Sequence, residues 1–79
     1  MSYDFYDEAE NIACELENQS QEPLASLLRK DVSEGSTSTE ILMSLRYHIA
    51  PAATDASVAL STRKRIKNLI KQIDIALSP

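Results

Sequence analysis

The chain has 79 residues, enough for one domain over residues 1–79 and no more. Hydrophobic residues make up 43% and charged residues 25%, with 8 basic against 12 acidic side chains for a net charge of −4, a balance typical of a globular domain and too apolar for a disordered tail. One Gly, one Cys and one His exclude Gly-rich phosphate loops, an internal disulfide and Cys-based zinc sites, and no apolar run nears the roughly 20 residues that span a bilayer.

The acidic start Met1-Ser2-Tyr3-Asp4 is wrong for a signal peptide. The expectation is a small cytoplasmic domain with no membrane attachment, no metal and no cofactor. A chain this short buries only about 60–65% of its unfolded surface, so it needs efficient helix packing or a partner.

Residues 3–18 carry Phe5, Ala9, Ile12, Ala13 and Leu16 at helical spacing, one stripe on one face. Asp4, Asp7 and Glu8 fall in the first turns, where the helix dipole favours negative charge. Pro23 is well placed as a first helical residue, and Leu24, Leu27, Leu28 and Val32 form the next stripe. This second helix should stop before Gly35, the one residue free to turn left-handed without steric cost.

Thr37 and Glu40 have capping-box spacing and open a third helix, with Ile41, Leu42, Leu45 and Ile49 on one face. Pro51 stops it and disfavours helical geometry at Ala50. Residues 51–60 are ambiguous, and either Asp55 or Ser61 caps the last helix. Its body is clear from Ile66, Leu69, Ile70, Ile73 and Leu77. Four amphipathic helices with short connections predict an all-α fold, an antiparallel bundle of four, with a three-helix core crossed by the residue 23–32 helix as the alternative.

Charge is divided unevenly. Residues 1–22 hold seven acids (Asp4, Asp7, Glu8, Glu10, Glu15, Glu17, Glu22) and no base, whereas residues 61–71 hold five bases (Arg63, Lys64, Arg65, Lys67, Lys71) and no acid. First and last helices are neighbours in an up-down-up-down bundle, so flanking ion pairs are one full account. The other account is a partner. The acids flank the first stripe on both sides and would attract a basic protein. Arg63, Lys64, Lys67 and Lys71 share a sector that could meet phosphates, but the net negative charge and the lack of an aromatic in that segment speak against nucleic acid.

On the third helix, Met43, Tyr47 and Ala50 lie nearly opposite the core stripe, with Arg46 at the edge of that second face. Either a neighbouring segment covers it, or Met43 and Tyr47 belong to an interface with another protein or a second copy.

His48 reads as a boundary histidine with a structural hydrogen bond, since no nucleophile is placed to work with it. Cys14, opposite the first stripe and among acids, reads as a semi-exposed inert thiol. The hydroxyls Ser36-Thr37-Ser38-Thr39 are accounted for by capping. None of these supports an enzyme.

The run from Gly35 to Ile49, a Gly, a hydroxyl-rich cap, Glu-Ile-Leu and then Leu-Arg before an aromatic, resembles a motif of small bacterial helical proteins. Arg63-Lys64-Arg65-Ile66-Lys67-Asn68-Leu69-Ile70-Lys71-Gln72-Ile73-Asp74 is similar to their basic terminal helix. In size, acidity and helical content the chain is also similar to immunity proteins of contact-dependent growth inhibition systems and of nuclease colicins. That resemblance implies a non-enzymatic cytoplasmic inhibitor that binds a cognate toxin, often a basic nuclease, and covers its active site. It carries over no residue roles. On the chain's own chemistry, the expected partner-binding residues are Asp4, Asp7, Glu8, Glu10, Glu15 and Glu17 as phosphate mimics, with Met43, Arg46 and Tyr47 as the apolar contact. The competing readings are a self-associating adaptor and a small nucleic-acid-binding regulator.

Overall fold

The structure, a computed structural model, describes residues 2–78. Four helices, α1 (Phe5–Asn18), α2 (Glu22–Glu34), α3 (Ser38–Ile49) and α4 (Leu60–Leu77), build an all-α fold with no strand among the described residues. A short 3-10 helix, Ala50–Thr54, bridges α3 and α4. Consecutive helices pack on one another and α4 closes back on α1. Along α1 the contacts run Glu8, Glu15, Gln19, and along α4 they run Arg65, Thr62, Ala59, so these two helices point in opposite directions.

The stripes make one core. Ile12 and Leu16 of α1, Leu28 of α2, Leu45 and Ile49 of α3, and Ile66, Leu69 and Ile73 of α4 are fully buried. At about 2 kcal/mol for each large aliphatic side chain removed from water, this face-to-face burial is the main favourable term in folding. Val58, from the connection, seals one side. On α2 the packed side differs from the sequence pattern. Ala25 and Leu28 are buried while Leu27 is 40% exposed, because α2 meets α1 and α3 across a face centred on Ala25 and Leu28 rather than Leu27.

Local signals place the helix ends, with four corrections. The Asp4 carboxylate accepts from the Asp7 N–H at 2.9 Å and caps α1. α1 then closes through Ser20 at φ 61, where the Ser20 and Gln21 N–H groups donate to the Glu17 and Leu16 carbonyls at 3.3 and 2.8 Å. This is a Schellman end with serine in the left-handed position, a turn the sequence reading did not anticipate. Gly35, expected to be that left-handed residue, has φ −68. Its need for glycine is steric, since a Cβ there would overlap Ile41 Cγ1 and crowd the Asp31 carbonyl.

Thr37 accepts from the Glu40 N–H at 3.1 Å, as capping-box spacing predicts, and Glu40 reaches back to the Ser36 N–H. Ala50 is helical at φ −54, ψ −46 because Pro51 enters the first turn of the 3-10 helix instead of ending the spiral. Neither Asp55 nor Ser61 caps α4. Ala59 stands at its N-cap, and Asp55 closes the preceding turn on Ser57. The Gln19 side chain reaches across from α1 and accepts the Ala59 N–H at 2.8 Å.

Candidate functional site

The acidic flanks of α1 are occupied from within the molecule. On one flank, the Arg65 guanidinium donates to both Glu8 carboxylate oxygens at 2.9 Å and also to Glu15. Thr62, fully buried beneath this pair, donates its hydroxyl to Glu15 and accepts from Gln19 Nε2 at 2.8 Å. The Thr62 hydrogen bond is the first cause that holds the Glu15 carboxyl below its ordinary value, and Arg65 adds to it against the opposing cost of desolvation. Arg65 is in turn held more firmly protonated, first by Glu8 and then by Glu15.

On the other flank, Arg29 of α2 lies between Glu10, at 2.9 Å, and Glu17, at 2.8 Å. The Arg29 hydrogen bond draws the Glu17 carboxyl down, and the same bond raises the arginine further. Four of the expected partner-binding acids thus have arginine partners within the molecule. Arg65 faces Glu8 and Glu15, and Arg29 faces Glu10 and Glu17, across helix seams. Asp4 is engaged as a cap. Of the six proposed acidic contacts, Asp4 and Asp7 stand exposed without an ion-pair partner among the described residues.

The outer face of α3 is open. Tyr47 is 77% exposed and Met43, one turn earlier, is 57% exposed, so among the described residues no neighbouring segment covers these two side chains. The seams on either side are pinned. Arg46 is bound to Asp74 of α4 at 2.6 Å, an ion pair that ties α3 to α4. His48 Nδ1 meets Asp31 of α2 at 2.6 Å, the structural bond expected for a boundary histidine. The Tyr47 ring stands edge-on to the His48 ring at 5.4 Å. Buried Leu45 and Ile49 fix the opposite face of the same helix. The result is an aromatic and a thioether held out on a rigid element.

Several residues carried no recognisable sequence signal. Arg29, Thr62, Gln19 and Asp74 act through residues 12 to 47 positions away. Arg29 also approaches Cys14 Sγ at 3.5 Å, so that exposed thiol has a cationic neighbour its own helix does not provide.

Among the described residues, no group of three or more His, Cys, Asp or Glu side chains is placed to hold a metal ion, and no helix is long and apolar enough to cross a membrane. The pocket between α1 and α2, lined by Tyr6, Ala9, Glu10, Leu28, Arg29 and Val32, is about 210 Å³, and three shallower surface clefts of about 410–570 Å³ fall within the roughly 300–1,000 Å³ of small-molecule sites. No protein family matches the chain, and neither a curated protein nor a solved structure matches it.

Proposed function

We propose that the chain is a non-enzymatic binding protein of the immunity type, which neutralises a cognate toxin by covering its working surface, and that the outer face of α3 is the docking face. The observation that carries this reading is the exposure of Tyr47 and Met43 side by side on a helix braced at both seams. An exposed tyrosine on a pre-ordered element loses little conformational freedom when covered and contributes both area and a polar tip. Such aromatic anchors dominate the energetics of protein interfaces. The net charge of −4 favours a basic partner at long range. Close contact would be apolar, since the α1 carboxylates are engaged by Arg65 and Arg29.

The test is to titrate the purified chain into the protein encoded by the adjacent gene and to co-express the two. The expected result is a stable complex and rescue of growth. The double substitution Met43→Ser/Tyr47→Ser should weaken the complex by about a hundredfold, a fall typical of losing two central anchors. Absence of both binding and rescue discards the reading. A second copy of the chain is the competing occupant of the face. Light scattering that shows a dimer at micromolar concentration, lost in the double variant, would establish that instead.

A further inference from the structure

The pairing of the acids leaves a different charge pattern on the surface. Arg65 and Arg46 turn sideways from α4 and α3 into ion pairs, but Lys64, Lys67 and Lys71 do not. All three are exposed, and none has an ion-pair partner among the described residues. At about 100° per residue they fall within about 60° of one another, facing directly away from buried Ile66, Leu69 and Ile73. Leu60 and Ile75, 57% and 60% exposed, lie in the same sector at the two ends of the row. The face therefore reads apolar, basic, basic, basic, apolar. The lysines span about 10 Å, and the apolar ends stand about 22 Å apart along the helix axis.

We infer that this outer face of α4 docks an acidic amphipathic helical segment of a partner protein, its central carboxylates meeting Lys64, Lys67 and Lys71 and its apolar ends covering Leu60 and Ile75. Charge complementarity selects an anionic partner. The apolar ends select protein over nucleic acid, because a phosphate backbone offers nothing to desolvate Leu60 or Ile75 against. α4 also carries no aromatic on which a base could stack. A straight helix laid along α4, with acids spaced by three and four residues, presents a carboxylate to each lysine of the row. This face is separate from the Met43/Tyr47 face and does not depend on the reading given to it.

The experiment uses the full chain and a synthetic, dye-labelled helical peptide with three glutamates at that spacing between terminal leucines. A scrambled peptide and a labelled DNA duplex serve as controls, and binding is read by fluorescence anisotropy. The designed peptide is expected to bind, and about a fivefold rise in salt should weaken it severalfold, as for contacts between exposed charges. The triple substitution Lys64→Gln/Lys67→Gln/Lys71→Gln should reduce affinity about tenfold or more, and the triple Lys→Arg variant should retain it. Leu60→Ser/Ile75→Ser should also weaken the peptide, whereas Tyr47→Ser should leave it unchanged. These positions are solvent-exposed, and far-UV circular dichroism checks that each variant is folded. The inference is overturned if the designed peptide does not bind, if the scrambled peptide or the duplex binds as tightly, or if the triple Gln variant keeps full affinity.

Discussion

Ser20 and Gly35 exchange the roles their residue types suggest. Ser20 holds φ 61 at the end of α1, a region that costs a side-chain-bearing residue roughly 1 kcal/mol. Ser20→Gly is therefore expected to stabilise the fold by about 0.5–1 kcal/mol, the relief exceeding the extra entropy glycine gives the unfolded chain. Gly35 has an ordinary negative φ, so alanine would be tolerated there on backbone grounds alone and would even stiffen the unfolded state. Its Cβ, however, would run into Ile41 on the first turn of α3. Gly35→Ala should consequently destabilise by about 1–3 kcal/mol, the usual cost of overpacking. Chemical denaturation of the two variants checks both signs.

The α1–α4 seam joins the buried hydroxyl of Thr62 to part-buried ion pairs. Thr62 gives one hydrogen bond to Glu15 and takes one from Gln19 with no access to water. Thr62→Val keeps the shape and removes both bonds, leaving Glu15 and Gln19 short of a partner. A loss of about 1–3 kcal/mol is expected. Glu15, Glu17, Asp55 and Asp74 all have carboxyls held below their ordinary values, by Thr62, Arg29, Ser57 and Arg46 first in each case. A carboxyl with a lowered value in the folded state binds protons more weakly than in the unfolded chain. Its stabilisation is complete above the unfolded value and disappears as pH falls through the folded one. Stability should thus be flat from about pH 6 to 8 as far as these groups are concerned and decline below about pH 4.5. Thr62→Val removes the first cause of the Glu15 shift, so its acid decline should be shallower than that of the parent chain. Denaturation midpoints measured from pH 7 to pH 3 test this.

Considered as one body, the chain separates what holds it together from what it presents. Its core is one aliphatic cluster fed by all four helices, and Leu45 lies fully buried within it. Leu45→Ala should cost about 2–5 kcal/mol, a large part of the stability of a domain this small. Met43 and Tyr47, two residues to either side on the same helix, should by contrast be replaceable by serine within about 0.5 kcal/mol, since neither is buried. Thermal unfolding of the three variants checks the contrast. Stability unaffected by a change at Tyr47 is what makes that position a clean probe of binding.

The helices were legible in the linear chain because a helix stripe, a Thr37–Glu40 cap and a Pro23 start are relations between residues at most four apart. The outward placement of Met43 and Tyr47 was legible for the same reason, as a helix carries its own inside and outside in its period. Whether that outside would be covered was not legible, nor was the fate of the α1 acids. Arg29 lies 19 and 12 positions from Glu10 and Glu17, and Arg65 lies 57 and 50 from Glu8 and Glu15. Those pairs exist because helix packing brings particular flanks within hydrogen-bond reach, and composition reports only that opposite charges are present. The unpaired lysine row on α4 follows from the same packing, which turned Arg65 and Arg46 toward neighbouring helices and left Lys64, Lys67 and Lys71 facing solvent. Periodicity is a property of one segment, whereas charge pairing depends on distances that arise only when segments meet.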